Sequence, residues 1–287
     1  MTKRLVILAL TAMTFAAVLE SRSLMAATPT ADEVDQNATV FYTISFSPAT
    51  GASELFAIKV SGRRITTTDI GGMGAGGCGS LAMSPSGTLL TMCGSLFGTQ
   101  QLSSVDTKTG LAHPFGVPVS GLAVMSMTFA PNGVLYAIGD CNPNGAYLDC
   151  GPGPSSDPNY NSLYTVNEAT GVFTRVGSTG APQYFMDLTF DREGNLWGVT
   201  TTLQPSLVPA ILYRIDLQTG AAKKVVDLVG SNTVMGLEFG RDGKLYANDF
   251  VLDPGLYLID LKTGFETGIA ALPFPLPSSV KSANPRP

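Results

Sequence analysis

Histidine and tryptophan are nearly missing from this chain. Among 287 residues there is one of each, His113 and Trp197. A serine-hydrolase triad needs a histidine base in its active site, and His113 falls in a segment that reads as an outer-edge strand. No Gly-x-Ser-x-Gly accompanies it. Charge is sparse too: 14% of residues are Asp, Glu, Lys or Arg, with a net charge of −5 and no basic cluster. That balance excludes nucleic acid as a partner, because phosphate recognition needs concentrated Lys and Arg. No Cys-x-x-Cys pair offers the spacing of a zinc site. Long stretches with a 3.6-residue apolar period are absent, which argues against helices. The run Gly71–Gly79, GGMGAGGCG, lacks the Lys-Ser/Thr of a phosphate loop and precedes a strand, so it reads as a flexible rim loop.

One long apolar run does occur, and it lies at the start. Lys3 and Arg4 are followed by an apolar stretch from Leu5 to Leu19 and by small residues through Ala27. This has the form of a secretory signal peptide over 1–27 and is short for a membrane span. Residues 28–38 are polar and read as a flexible lead-in. The expected location is periplasmic or secreted, with no membrane span after cleavage.

What remains is rich in Gly (32 residues), Ser and Thr, the balance of many short strands joined by tight turns. An internal repeat dominates. One strand type occurs four times: Cys78–Met83, Val124–Phe129, Phe185–Phe190 and Val234–Phe239. Each is followed by a turn ending in Gly87, Gly133, Gly194 or Gly243, and then by Leu89-Leu90, Leu135-Tyr136, Leu196-Trp197 or Leu245-Tyr246. Another strand type recurs at Leu55–Lys59, Leu102–Asp106, Leu163–Asn167, Leu212–Asp216 and Leu256–Asp260. Four of these run into Thr-Gly turns at Gly110, Gly171, Gly220 and Gly264. The Asp or Asn before each turn can bond the turn amides, which explains it without calcium. With a further strand after each Thr-Gly, the unit is a four-stranded blade, labelled A to D from the centre outward.

The pattern specifies an all-β chain: a single β-propeller of about five four-stranded blades over residues 39–275. The first blade starts at Val40–Ile44, which matches a second strand, so its innermost strand is missing. The tail 276–287 contains Pro277–Ala283 at the right distance to pair there and close the ring; otherwise it is a free tail.

The A-strand Phe or Met, the Asp-Gly and Asn-Gly turns, the Leu-Tyr pairs and the Ile-Asp-x-x-Thr-Gly runs resemble secreted bacterial propellers of the NHL, YVTN and gluconolactonase-like group. That resemblance covers about residues 39–272. It implies the propeller fold and leaves the function open, since such groups include enzymes, binding proteins and scaffolds. A pyrroloquinoline-type redox propeller would carry recurrent tryptophans, which are lacking.

Strand alternation puts A–B and C–D turns on one face and B–C and D–A loops on the other. The irregular connections, 71–77, 139–161, 200–210 and 249–254, all belong to the second face, where function is expected. Paired positions of the 78–93 hairpin sum to about 171, which sets Cys78 against Cys93. Cys141 and Cys150 bracket the base of the long insertion, so the expected disulfides are Cys78–Cys93 and Cys141–Cys150.

Candidate ligand contacts are Asp140, Tyr147, Tyr160 and Asp249 on that loop face. Asp187 and Glu238 on A strands, with Asp140 and Asp249, are candidate calcium ligands. No other cofactor is expected. Met125, Met186 and Met235 recur at one A-strand position and read as packing between blades. The leading functional expectation is a module that binds a protein or small molecule through the B–C/D–A face. The alternative is a calcium-dependent hydrolase or lactonase at the channel mouth.

Overall fold

The computed structural model describes residues 38–283 apart from 48–49, 63, 96–97, 142–160, 202–207, 231–232, 250–253 and 276, and apart from the side chains of Asp140 and Cys141. The expected signal segment therefore lies outside the described residues. So do Tyr147, Tyr160 and the Cys141–Cys150 pairing.

Every regular element among the described residues is a strand. The chain begins with β1 (Thr39–Phe46), β2 (Ala52–Ser61) and β3 (Arg64–Gly76). Next come β4 (Gly79–Met83), β5 (Leu89–Gly94), β6 (Thr99–Val105), and an outer strand broken into β7 (Ala112–Pro114) and β8 (Val119–Ser120). The third group is β9 (Leu122–Phe129), β10 (Leu135–Cys141), β11 (Ser162–Val166) and β12 (Phe173–Ser178). The fourth is β13 (Tyr184–Phe190), β14 (Leu196–Thr201), β15 (Ile211–Ile215) and β16 (Ala222–Asp227). The chain ends with β17 (Val234–Phe239), β18 (Leu245–Asp249), β19 (Gly255–Ile259), β20 (Glu266–Ala271) and β21 (Pro277–Ser282). These form five antiparallel sheets, the blades of one propeller.

Blade 1 is closed as the tail permits. β21 pairs antiparallel with β1, from Phe41 opposite Ser282 to Ser45 opposite Pro277, and its sheet runs β21-β1-β2-β3. The last strand of the chain is thus the A strand of the first blade. Without it, β1 would present an unpaired edge at the ring's centre.

The apolar pattern explains why the ring must close. The core consists of five clusters, each shared by two neighbouring blades. Tyr136 and Ile138 of blade 3 meet Phe185 and Leu188 of blade 4. Phe41 and Ile58 of blade 1 meet Tyr246 and Phe274 of blade 5. A strands are covered on both faces, and all seven residues of β13 are buried. The outer strand β16 is only half covered.

Turn chemistry follows the sequence. Asp260 Oδ1 accepts from the N–H groups of Lys262 (2.8 Å) and Thr263 (2.9 Å), and Asp216 Oδ1 accepts from Gln218 and Thr219. These bonds hold the carboxyls of Asp216 and Asp260 below their ordinary range, led by the Thr219 hydroxyl and the Thr263 N–H respectively. The glycine that ends each turn also allows a close approach between blades. Gly264 has φ +70°, and a Cβ there would strike the carbonyl of Asp227 in the preceding blade.

One expected loop is a strand. The Gly71–Gly76 run continues β3, with Leu55 opposite Gly71 and Ala52 opposite Gly76. Two register shifts accommodate it, and Gly71 and Gly74 take positive φ (140° and 69°) at these irregularities. Glycine-rich sequence here buys bulges rather than mobility. Met73, within the run, is fully buried.

Cys78 and Cys93 are bonded, with their Cα atoms 4.0 Å apart. The bridge ties the start of the A strand of blade 2 to the end of its B strand. Such a bond persists in an oxidising, extracytoplasmic environment. Among the described residues, no helix is long and apolar enough to cross a membrane.

Candidate functional site

The five A strands, β21, β4, β9, β13 and β17, line the axis, and equivalent positions stack into layers. The middle layer holds Ser279, Ser80, Ser126, Asp187 and Gly236 of blades 1 to 5. A rule governs it: the side chain of one blade accepts the amide of the next position in the following blade. Ser279 Oγ accepts from Leu81 N (3.1 Å), Ser126 Oγ from Leu188 N (2.9 Å), and Asp187 Oδ2 from Leu237 N (2.8 Å). Gly236 has no side chain to offer, and the next amide, Val280 N, reaches Asp187 Oδ2 at 3.5 Å. Ser80 breaks the rule outright; its Oγ is buried and has no partner.

Towards the A–B face, the next layer contains Thr128, Thr189, Glu238 and Lys281. Lys281 is 2% exposed. Its Nζ donates to Asp187 Oδ1 at 2.8 Å, to Leu237 O at 3.2 Å and to Leu188 O, and lies 3.8 Å from Glu238 Oε2. Asp187 is fully buried and also accepts from the Ser126 hydroxyl. One carboxylate therefore stitches blades 3, 5 and 1 to its own blade 4. A buried charge is tolerable only when paired and hydrogen-bonded in this way.

The candidate metal ligands are thus placed as follows. Asp187 and Glu238 do come together on the axis, with the ammonium of Lys281 between them supplying the positive charge. This arrangement does not suit them to hold a divalent cation as well. Asp249 ends β18 on the other face, where Thr233 Oγ1 donates to its Oδ1 at 2.6 Å. Asp140 sits near the end of β10 opposite Ala123. Among the described residues, no group of three or more His, Cys, Asp or Glu is placed to hold a metal ion. His113 is exposed on β7, at the outer edge.

The opposite end of the axis, at the D–A mouth, opens into a pocket of about 210 Å³. Met125, Met186 and Met235 line it, one from each of three successive blades, together with Val124 and Phe46. Met125 also packs against the core shared by blades 3 and 4. The methionines were expected between blades, and this one does both; the shared A-strand position turns all three towards the axis. The polar part of the lining is Ser80, Ser278, Ser279 and Gln100. Ser278 Oγ, like Ser80 Oγ, is buried without a partner. Gln100 Oε1 accepts from Val124 N at 2.8 Å, which fixes its carboxamide at the wall. Ser80 and Ser279 have φ of 55° and 50°, the left-handed region that non-glycine residues rarely adopt. No charged side chain is among the described lining residues.

Sequence reasoning missed Lys281 and the serines. A signal for Lys281 existed: aligning Pro277–Ser282 on Val234–Phe239 sets Lys281 beside Glu238. The recurrent methionines were the visible mark of the pocket.

The chain matches no family model and no curated protein sequence. Its structure is similar to a putative 6-phosphogluconolactonase from Bacteroides fragilis, at 11% identity and a TM-score of 0.50, covering 88% of this chain and 99% of that one. A gluconolactonase from Xanthomonas campestris gives 14% identity and a TM-score of 0.49 over 85% of this chain and 79% of that one. TolB from Acinetobacter baumannii gives 15% and 0.47, over 81% of this chain and 53% of TolB, so the chain spans about half of that protein. The likeness at a TM-score of 0.50, with 11% identity, shows the fold alone.

Proposed function

We propose that the protein is an exported β-propeller that binds a small ligand in the axial pocket on its B–C/D–A face. The observation that carries this reading is the pocket's lining: thioethers and buried, unpartnered serine hydroxyls, with no charged side chain among its described residues. Pockets of this kind, mostly apolar with a few convergent polar groups, are the usual form of a small-molecule site. In this reading residues 1–27 direct export, in keeping with the Cys78–Cys93 bond. Asp140, Tyr147, Tyr160 and Asp249 are proposed as further ligand contacts. The calcium-dependent lactonase alternative draws its acids from Asp187, Glu238, Asp140 and Asp249. Lys281 between the first two weighs against it.

The test is a small-fragment screen by ligand-observed NMR on the exported chain, repeated on Met235→Trp, whose indole would fill the mouth. Fragments that compete for one site and are lost in the variant support the proposal. Hits unaffected by the plug, or calcium-dependent lactone turnover in the same preparation, would overturn it.

A further inference from the structure

We infer that the axial pocket takes one compact, uncharged organic molecule with an apolar body and a single polar end. This rests on the pocket being the binding site, and it names the ligand's class.

Size sets the first limit. The volume, about 210 Å³, exceeds the roughly 150 Å³ cavity that holds a benzene and falls below the roughly 300 Å³ where drug-sized sites begin. A single six-membered ring with a short substituent is the right scale.

Charge sets the second. None of the pocket's described lining residues is ionisable. A carboxylate, phosphate or ammonium entering it would lose water and find no counter-charge among these residues, which disfavours charged ligands strongly. Asp187, in the same layer as Ser80 and Ser279, is already neutralised by Lys281 at 2.8 Å.

The polar end is called for by Ser80 and Ser278. Their residues are 3% and 6% exposed, and neither hydroxyl has a partner. Buried hydroxyls are almost always hydrogen-bonded. Ser80 is the informative one. At the equivalent position Ser279 and Ser126 spend their hydroxyls on the next blade's amide, and Ser80 does not. Its left-handed backbone departs from extended strand geometry at the floor of the pocket, and such strain clusters at ligand sites. The methionine thioethers favour a flat aromatic body, since sulfur packs well against rings and the side chain adapts to shape.

Three thioethers could instead hold a soft cation such as Ag(I) or Cu(I). An ion would leave most of the volume empty and both hydroxyls unpaired, so the organic ligand accounts for more of the site.

The experiment titrates phenol, toluene, benzoate, benzylammonium and Ag(I) separately into the full exported chain, followed by protein NMR shifts. Phenol should saturate and bind at least about tenfold tighter than either charged analogue. Ser80→Ala with Ser278→Ala should weaken phenol by about five- to tenfold, the worth of a hydrogen bond, and leave toluene unchanged. Changing Met125, Met186 and Met235 to Leu keeps the apolar wall but loses the sulfur–ring contacts, so it should weaken phenol and toluene by a similar few-fold factor and abolish any Ag(I) binding. Near-UV circular dichroism checks that each variant is folded. Benzoate or benzylammonium binding as tightly as phenol overturns the inference while leaving the pocket as the site. Ag(I) saturating the wild type but not the leucine variant, with no aromatic bound, also overturns it. Binding that survives Met235→Trp removes the pocket reading itself.

Discussion

Replacing Lys281 with Met keeps the aliphatic stem and removes the ammonium at the centre of the ring. Asp187 would then be a fully buried carboxylate without its counter-charge. It would keep four donors: the Ser126 hydroxyl and the amides of Leu188, Leu237 and Val280. Those bonds temper the loss, but they do not neutralise the charge. Removing one member of a buried ion pair costs about 3–5 kcal/mol. For a propeller of this size each kcal/mol lowers Tm by about 2–4 °C, so the expected drop is about 6–20 °C. Thermal and urea unfolding can be followed through Trp197, the sole tryptophan, which is 7% exposed at the interface of blades 4 and 5. Asp187→Asn should also destabilise, because it strands Lys281 with only the more distant Glu238. The double variant Lys281→Met/Asp187→Asn should lose less than the sum of the two, since neither charge is then left alone. A loss below about 1 kcal/mol for Lys281→Met, the level of an exposed pair, would refute the claim that this pair clamps the ring.

Two further outcomes follow from other contacts. The Cys78–Cys93 bond spans 15 positions, so changing both cysteines to Ser should cost about 3 kcal/mol of unfolding free energy, read from urea denaturation, and unchanged stability would count against its structural role. Burial, and secondarily the charge of Asp249, pushes the Glu266 carboxyl from its ordinary 4.5 up to about 7. The folded state then holds a proton that the unfolded chain has released, so stability is fullest below 4.5 and falls as pH rises towards 7. Glu266→Gln should flatten that decline and raise Tm at alkaline pH, and an unaltered pH profile of Tm would show the group to be indifferent.

How much of this was legible beforehand depended on whether a feature is local. Blade number, the order of strands and the Thr-Gly turns repeat within about 45 residues, and each repeat carries its own Leu, Tyr, Asp and Gly. Those signals come from side chains next to one another in the chain, and they survive without neighbours. The Cys78–Cys93 pair was readable for the same reason, since it lies within one hairpin. The Gly71–Gly76 run misled because glycine permits a loop and a bulged strand equally, and only the pairing with Ala52–Leu55 selects the strand.

What the sequence determined by itself, then, was the blade and the number of its copies. Which side chains share the axis was a tertiary decision. Lys281 and Asp187 are 94 positions apart, and their ion pair forms only when β21 docks beside β1. The pocket has the same origin. Three methionines, two idle serines and a glutamine come from all five blades. They form one site only because five blade interfaces bury enough apolar surface to close a ring around them.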